Sequence, residues 1–504
     1  MFFSSPLSIL PPTDYNIKMR ILLTNPPWKK GNYYGVRAGT RWPFLTELPK
    51  TQRIPDYIPF PFFLAYTASL LKENGFDVNL IDAVALGIDD DKYLSMVADF
   101  QPELMIQETS TPSINTDINI ANRAYDECEC KNIALSGPHV SIFRENVLKD
   151  NPNVSFLLIG EYEMSSLELA LALNGSGSLE DIKGLVFRKG DKIELNTPRG
   201  LLDDLDSLPL PARDLLPMPN YRDYFCDMPQ PTAQIWASRG CPFGCIYCLW
   251  PQALYNSRKY RVRDPVRVTD EMKIIEDKYN PGSIFFDDDT FNIGKARMLK
   301  LASEIQARGI KTPWAVMARP DTSDEETLKA LKSAGMRAIK YGIESGDQSI
   351  LKQSGKSLNL SKAMETVNIT KKLGIKTHLT FTVGLPNETD KTAMKTLQFA
   401  LKMNPDSAQF SICTPFPGTE YFEQASRKKY IDFNDYSDFD GAGKAVIRTE
   451  ELSSVDLEKI LSKMQAAWRR HKLFRIISHF DLRAFMRFFD NPKIVVKKLL
   501  SLVK

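Results

Sequence analysis

Two successive series of short apolar runs, each run separated from the next by a helical pattern, restrict this chain to an α/β architecture with parallel sheets. The first series opens at Met19 with MRILLTNPP, an apolar run stopped by a Pro pair. A helix over 62–74, the strand DVNLIDA (77–83), a helix near 89–99 and the strand ELMIQETS (103–110) follow. After a further helix come NIALSGPH (132–139) and FLLIGEYE (156–163), with a helix to about 173. This succession predicts a doubly wound, Rossmann-like domain, in which ligands lie beyond the carboxyl ends of the strands.

Residues 184–198 read as a hairpin turning at Lys189-Gly190-Asp191, and the Pro- and Asp-rich stretch up to 232 as an irregular linker. The second series offers strands at 233–239, 283–288, 313–318, 337–344, 377–384 and 408–414. Six such units predict a partial (β/α)6 barrel better than a closed eight-fold one. From about 425 the pattern turns helical. The predicted layout is an N-terminal extension (1–18), a Rossmann-like domain (19–180), a hairpin and Pro-rich linker (181–232), a partial barrel (233–425) and a helical C-terminal region (426–504).

Composition narrows the partners. A chain with 43% hydrophobic and 25% charged residues suits a soluble globular protein. A net charge of +3 over 504 residues gives no electrostatic reason for a nucleic-acid partner. No apolar run approaches the ~20 residues that span a bilayer. The first residues lack a basic start followed by an apolar core and a cleavage site, so the cytoplasm is the expected compartment. Charge is unevenly spread, however: residues 468–504 carry ten Lys/Arg against two Asp, interleaved with Phe474, Phe480, Phe485, Phe488 and Phe489. Such a tail suits peripheral contact with an anionic membrane as well as packing on the barrel with its basic face in water. Membrane contact would make a lipid-linked substrate more plausible than a freely diffusing small molecule.

The chain has seven cysteines, an odd number, and three are clustered in Ser238-Arg-Gly-Cys241-Pro-Phe-Gly-Cys245-Ile-Tyr247-Cys248. The C-x3-C-x2-C spacing speaks for metal binding rather than a disulfide framework. Thiolates suit iron–sulfur clusters and zinc alike. A structural zinc site wants four ligands, and the nearest further Cys is Cys226, with no His nearby. Three thiolates can cap three irons of a cubane and leave the fourth iron open for chemistry.

This stretch resembles the signature of the radical SAM superfamily, C-x3-C-x-aromatic-C, with Tyr247 as the aromatic. Later segments resemble the superfamily's barrel motifs: Ile284-Phe-Phe-Asp-Asp-Asp-Thr-Phe291, Tyr341-Gly-Ile-Glu344-Ser-Gly346, Thr382-Val-Gly384-Leu-Pro-Asn-Glu388-Thr and Thr414-Pro-Phe-Pro-Gly-Thr419. The resemblance implies a [4Fe–4S] cluster on Cys241, Cys245 and Cys248 that cleaves S-adenosylmethionine to a 5′-deoxyadenosyl radical, with an electron donor such as flavodoxin or ferredoxin. It places Tyr247, Asp287, Asp288, Asp289, Arg319, Glu344 and Gly384 around the cofactor. Successive strand residues alternate sides, so one or two of the three Asp are expected to face it. Arg319 is expected to pair with the cofactor carboxylate or with Glu344.

Residues 19 to about 425 resemble the branch of this superfamily with an N-terminal cobalamin (B12)-binding domain. The carriers are Ile21-Leu-Leu-Thr-Asn25-Pro26-Pro27, Phe63-Leu-Ala-Tyr66, Gly137-Pro-His139, Gly160-Glu161-Tyr-Glu163 and Leu205-Asp-Ser-Leu-Pro209-Leu-Pro211. The resemblance implies a cobalamin seat at the strand ends, with Asn25, Pro26, Thr109, Gly137, His139, Gly160 and Glu161 against it. The D-x-H-x-x-G motif that brings a cobalt-ligating His in other cobalamin proteins is absent, and His139 reads better as a hydrogen-bonding loop residue. The reaction implied is C-methylation of a substrate the sequence does not name. The alternatives are a radical cyclisation or rearrangement without methyl transfer, and a non-catalytic metal-bound regulatory protein. Segments such as Glu344 and Glu388 argue against the last, because a scaffold has no need of them.

Overall fold

A computed structural model describes residues 19–48 and 54–478. The N-terminal extension and the part of the basic tail beyond residue 478 lie outside the described residues. The first series forms one sheet from β1 (Arg20–Asn25), β2 (Asp77–Asp82), β3 (Leu104–Glu108), β4 (Ile133–Ser136), β5 (Phe156–Leu158), β6 (Leu185–Lys189) and β7 (Lys192–Leu195). The spatial order is β7-β6-β5-β4-β3-β1-β2. Strands β1 to β5 are parallel, in the order 2-1-3-4-5, so the topology switches between β1 and β3. Helices cover both faces, which is why β1, β3 and β4 are nearly continuous buried apolar runs. The hairpin turns where expected, with Lys189 opposite Lys192, but it belongs to the sheet: β6 pairs antiparallel with β5. The sheet therefore runs past residue 180 and its edge is closed by the hairpin.

The second series forms β8 (Thr232–Ile235), β9 (Ser283–Phe286), β10 (Trp314–Ala318), β11 (Met336–Glu344), β12 (Lys376–Val383) and β13 (Ser407–Ile412). All six are parallel and paired in chain order, an open barrel. Its helices start where the sequence supplies caps. Asp264 accepts from Val266 N ahead of Pro265–Tyr279, Asp324 from Thr327 N ahead of Glu325–Ser333, and Thr389 from Thr392 N ahead of Asp390–Met403. Beyond the helix Glu420–Arg427 the chain departs from the expected helical pattern. Residues 428–453 are irregular, held by the bridge Ile431–Ile447, because Asn434, Asp435, Asp438, Gly441 and Gly443 favour turns. Helix resumes at Ser454–Ser478 and packs Trp468 on Phe410 of β13. No helix among the described residues is long and apolar enough to cross a membrane.

Residues 29–47, which carry no periodic pattern, form a three-stranded antiparallel ribbon, Lys29–Lys30, Tyr33–Val36 and Phe44–Glu47, between the two sheets. The domains also share one apolar core. Its centre is aromatic: Phe62 stacks on Trp236 at 4.0 Å between ring centroids, and Phe63 and Trp250 pack edge-on against the same indole. Trp236 immediately follows β8, so this contact ties the first helix of one domain to the barrel's first strand. Trp236→Ala is expected to lower stability by about 3–5 kcal/mol, the cost of an aromatic-to-Ala cavity, seen as a lower midpoint in thermal or urea unfolding. An unchanged midpoint would mean the two sheets do not depend on this contact.

Candidate active site

The cysteine loop begins where β8 ends. Ser238–Arg239 pairs antiparallel with Arg261–Val262, and Gly240 then turns with φ +88°. A Cβ there would lie 2.1 Å from the Lys259 carbonyl, so only Gly fits. Loop carbonyls are claimed by side chains: Gln252 Nε2 donates to Cys248 O at 2.7 Å and Ile246 O at 3.0 Å, and Arg258 donates to Phe243 O and to Cys245 O. Cys241 Sγ lies 3.4 Å from Thr290 Oγ1. A hydrogen bond with Cys248 pulls the Cys245 thiol below its ordinary value, with Lys356 and Arg319 adding to the effect, and that same contact pushes Cys248 up. Cys226 is not a fourth partner; it contacts Ser407 Oγ at the start of β13. No three His, Cys, Asp or Glu side chains among the described residues converge on a single-ion site. The donor set, three thiols on one loop beside two cations, fits a cluster better than a four-ligand zinc site.

Tyr247 of this loop lines a barrel cavity of about 410 Å3, together with Glu344, Thr382 and Cys413. Glu344 sits at a register shift in β11 with φ +71°, a conformation non-Gly residues seldom adopt. Its Oε1 accepts from Lys356 Nζ at 3.1 Å and Thr380 Oγ1 at 3.3 Å, and its Oε2 from Thr382 Oγ1 at 2.8 Å. The cation beside Glu344 is thus Lys356, not Arg319. Arg319 pairs with Asp321 at 2.8 Å and lays its guanidinium over the Phe243 ring at 3.7 Å, supporting the cysteine loop from outside.

The acidic run is turned away from the cavity. Asp288 accepts from Ala237 N and Ser238 Oγ, and burial pushes its carboxyl up to about 6. Asp289 accepts from Arg41 Nε at 2.7 Å, Gly240 N at 2.8 Å and Tyr255 OH at 3.2 Å. Asp287 accepts from Arg41 Nη1 at 3.0 Å, and its other oxygen has no partner. None of the three is among the cavity's lining residues. The run fastens the ribbon and the cysteine loop to β9, which corrects the expectation that it faces the cofactor. Gly384 turns with φ +87° and donates its N–H to Glu388 Oε2 at 2.5 Å. Burial raises the Glu388 carboxyl to about 8.

At the carboxyl edge of the first sheet, Asn25 Nδ2 donates to Asp82 at 2.8 Å while its oxygen accepts from Arg37 at 2.9 Å. Arg37 also reaches Asp117 and the Pro26 carbonyl. Thr109 Oγ1 donates to Ser136 O at 2.7 Å, and Gly137 passes so near Thr109 that a Cβ would lie 2.2 Å from its carbonyl. With Arg37 and Trp250 in the crevice, about 10 Å3 stays free, at the lower limit of what one water needs. His139 is buried against Phe143 and Tyr436, Nδ1 3.3 Å from Thr111 Oγ1, and burial lowers it to about 3. It is the hydrogen-bonding residue expected. Gly160 N donates to Ser141 Oγ at 3.1 Å. Glu161 departs from expectation: it accepts from Arg261 at 2.7 and 2.8 Å and pairs with Arg239 at 3.3 Å, while Arg239 also pairs with Glu163 at 2.6 Å. Burial raises the Glu161 carboxyl, but Arg239 and Arg261 outweigh that and hold it below its ordinary value. Sequence reading missed Arg37, Arg41, Arg239, Arg261 and Lys356. Arg41 and Asp287 are 246 residues apart, and no local pattern marks such a pair.

Fold and site together define an enzyme of the radical S-adenosylmethionine class, built on a cysteine loop at the mouth of an open six-stranded barrel. Residues 237–400 match the model of the Radical SAM superfamily. It is 29% identical to Uncharacterized methyltransferase PH0819 of Pyrococcus horikoshii over 90% of this chain and 94% of that protein. Its fold resembles that of the radical S-adenosylmethionine methyltransferase TsrM from Kitasatospora setae (TM-score 0.63, 18% identity, 83% of this chain and 78% of that one). It also resembles the cobalamin-dependent S-adenosylmethionine radical enzyme OxsB (TM-score 0.68, 15% identity, 92% and 67%).

Glu388 makes stability fall with pH. A carboxyl near 8 in the folded chain and 4.5 when unfolded binds more protons folded, so its contribution is complete below 4.5 and is lost as pH rises through 8. Glu388→Gln should flatten the decline between those limits in urea titrations across pH; an identical slope would assign the decline to other groups.

Proposed function

We propose that this chain is a cobalamin-dependent radical SAM C-methyltransferase acting on a small-molecule substrate. The observation that carries the reading is the placement of the three thiols: Cys241, Cys245 and Cys248 share one loop, and Tyr247 of that loop lines the same cavity as Glu344. These three are the ligands of the cluster. When bound, the [4Fe–4S] cluster supplies the electron that splits S-adenosylmethionine into methionine and a 5′-deoxyadenosyl radical, which takes a hydrogen atom from the substrate. Glu344 would hold the cofactor by accepting hydrogen bonds from its ammonium or ribose hydroxyls, since charge-assisted bonds are the stronger kind. Lys356 takes the role foreseen for Arg319 and stands ready for a carboxylate. Arg319 and Asp289 position the loop. Gly384 shapes the turn after β12.

The 2-1-3-4-5 order of β1 to β5 and the fold shared with TsrM and OxsB support a cobalamin seat at the carboxyl edge of the first sheet. Asn25, Pro26, Thr109, Gly137 and Gly160 border it; Glu161 does not, because Arg239 and Arg261 occupy it. Arg37 lies in this crevice, held by Asn25, Asp117 and the Pro26 carbonyl. When bound, cobalamin supplies the methyl group. A flavodoxin- or ferredoxin-type donor in the cytoplasm would supply the electron, and the basic tail, most of which lies outside the described residues, would contact the membrane.

Replacing Cys241, Cys245 and Cys248 together by Ala should remove cluster iron and all 5′-deoxyadenosine formation after anaerobic reduction. Iron retained near four per chain with continued turnover would refute the assignment. Glu344→Gln should keep the cluster yet weaken S-adenosylmethionine binding about tenfold or more, the loss of a charged hydrogen bond worth about 1.5–3 kcal/mol. An unchanged isotherm would return Glu344 to a purely structural place. Methylated product together with S-adenosylhomocysteine separates methyl transfer from cyclisation or rearrangement.

A further inference from the structure

The interior of this barrel is unusual in what its strands turn inward. Closed barrels fill that space with Val, Ile and Leu. Here β11, β12 and β13 set three polar rows side by side. Lys340 is paired in register with His378, and His378 with Ser407. Gly342 is paired with Thr380, and Thr380 with Gln409. The third row, at the carboxyl ends, joins Thr382 to Ser411 beside Glu344. The alternate positions Leu379, Phe381 and Val383 are fully buried, as outward residues under helices should be. The third row meets the cysteine loop and belongs to the proposed cofactor site. The first two lie farther from the cysteine loop, with Gln409 exposed on the last strand, and are unassigned.

Their chemistry is specific. His378 is 8% exposed, lines the cavity and holds Nδ1 2.8 Å from Ser407 Oγ, while its Nε2 is buried with no hydrogen-bond partner. Burial lowers His378 to about 3, with Lys340 adding, so the ring is neutral at neutral pH. Gln409 and Ser411 also line the cavity, and neither side chain bonds to another described residue. Lys340 is the one cation among the lining residues; Asp223 neutralises it at 3.0 Å, and its ammonium lies over the Phe225 ring at 4.6 Å. Facing these rows are Met317, Phe225 and the half-buried rings of Tyr57 and Phe44. The cavity therefore offers His378 Nε2 and the Gln409 amide as neutral hydrogen-bonding groups on one wall and an apolar face on another; of its charged lining residues, Lys340 and Asp223 neutralise each other and Glu344 is paired with Lys356.

We infer that the two inner rows bind the substrate through a neutral, multiply hydroxylated ring, a sugar or cyclitol moiety, with His378 Nε2 and the Gln409 amide as its specificity-determining partners. Such a ring has hydroxyl edges for the polar rows and C–H faces for Met317 and Phe225. A hydrocarbon would leave the buried His378 Nε2 without a partner, which is costly. A phosphate or carboxylate would find only a cation already paired. The volume of about 410 Å3 is in the small-molecule range. The inference rests on the proposed radical chemistry for its orientation, with the ring facing the third row and Glu344.

The test is ligand-observed saturation-transfer NMR on the full-length, cluster-loaded chain with three probes: methyl α-D-glucopyranoside, D-glucose 6-phosphate and cyclohexanol. The glucoside should receive saturation, with the phosphate no tighter and cyclohexanol weaker. His378→Leu should weaken the glucoside about tenfold, the loss of a bond to a buried group. Gln409→Ala, at a solvent-reached position on the last strand, should weaken it similarly and gives the reading if the histidine variant does not fold. Saturation of none of the probes, preference for cyclohexanol or the phosphate, or equal glucoside binding in both folded variants would overturn the inference. 5′-Deoxyadenosine release, measured on the same preparation, tests the radical reading separately: glucoside binding without cleavage would sink that reading and leave this one.

Discussion

The buried ion cluster of Arg239, Arg261, Glu161 and Glu163 is the contact on which the rest of the molecule depends. Arg239 stands two residues before Cys241, and Arg261 lies on the short strand paired with it, while both Glu follow β5 of the other sheet. All four side chains are nearly inaccessible. Removing one partner from such a set leaves an uncompensated buried charge, typically costing about 3–5 kcal/mol. The root of the cysteine loop therefore hangs from the first domain as much as from the barrel. Arg239 also lies over Phe63, Tyr66 and Trp236, so the charge lock and the aromatic junction share one side chain.

A second lock repeats the arrangement from the other direction. Arg41, on the segment within the ribbon, takes Asp287 and Asp289, and Asp289 holds Gly240 N. The ribbon that closes the crevice over the first sheet is thereby connected to the residue before the first cysteine. In this protein the acidic motif after β9 acts as a joint between the two prospective cofactor sites.

The barrel wall completes the separation of tasks. The outward residues Leu379, Phe381 and Val383 of β12 are apolar and buried, while its inward residues His378, Thr380 and Thr382 are polar throughout. An interior lined in this way is not a core; it is a binding surface whose hydrogen-bonding capacity is only partly used within the chain. Glu344, at a register shift with positive φ, and Gly240, where no Cβ fits, mark two places where the backbone departs from regular geometry at the site.

Much of this architecture was legible before any coordinates. Eleven strands of the two main sheets fall where apolar runs predicted them, within a few residues, and the hairpin turns at Lys189-Gly190-Asp191, because burial on both faces leaves an apolar run that is visible locally. The Cys spacing, Tyr247 and Glu344 were readable for a similar reason: they are set by one loop and one strand end. What tertiary structure alone decided is which charge meets which. Asp287 and Asp289 meet Arg41 and Asp288 meets Ser238, none of them lining the cavity, Arg319 stacks on Phe243 and leaves Glu344 to Lys356, Glu161 is consumed by two arginines, and residues 29–47 make a ribbon with no periodicity to announce it. Backbone burial follows from neighbours in the chain, whereas an ion pair buried between domains follows from two segments that meet only when both sheets are already formed; that is why sequence by itself determined the layers and the cysteine loop, and the folded molecule determined the partners.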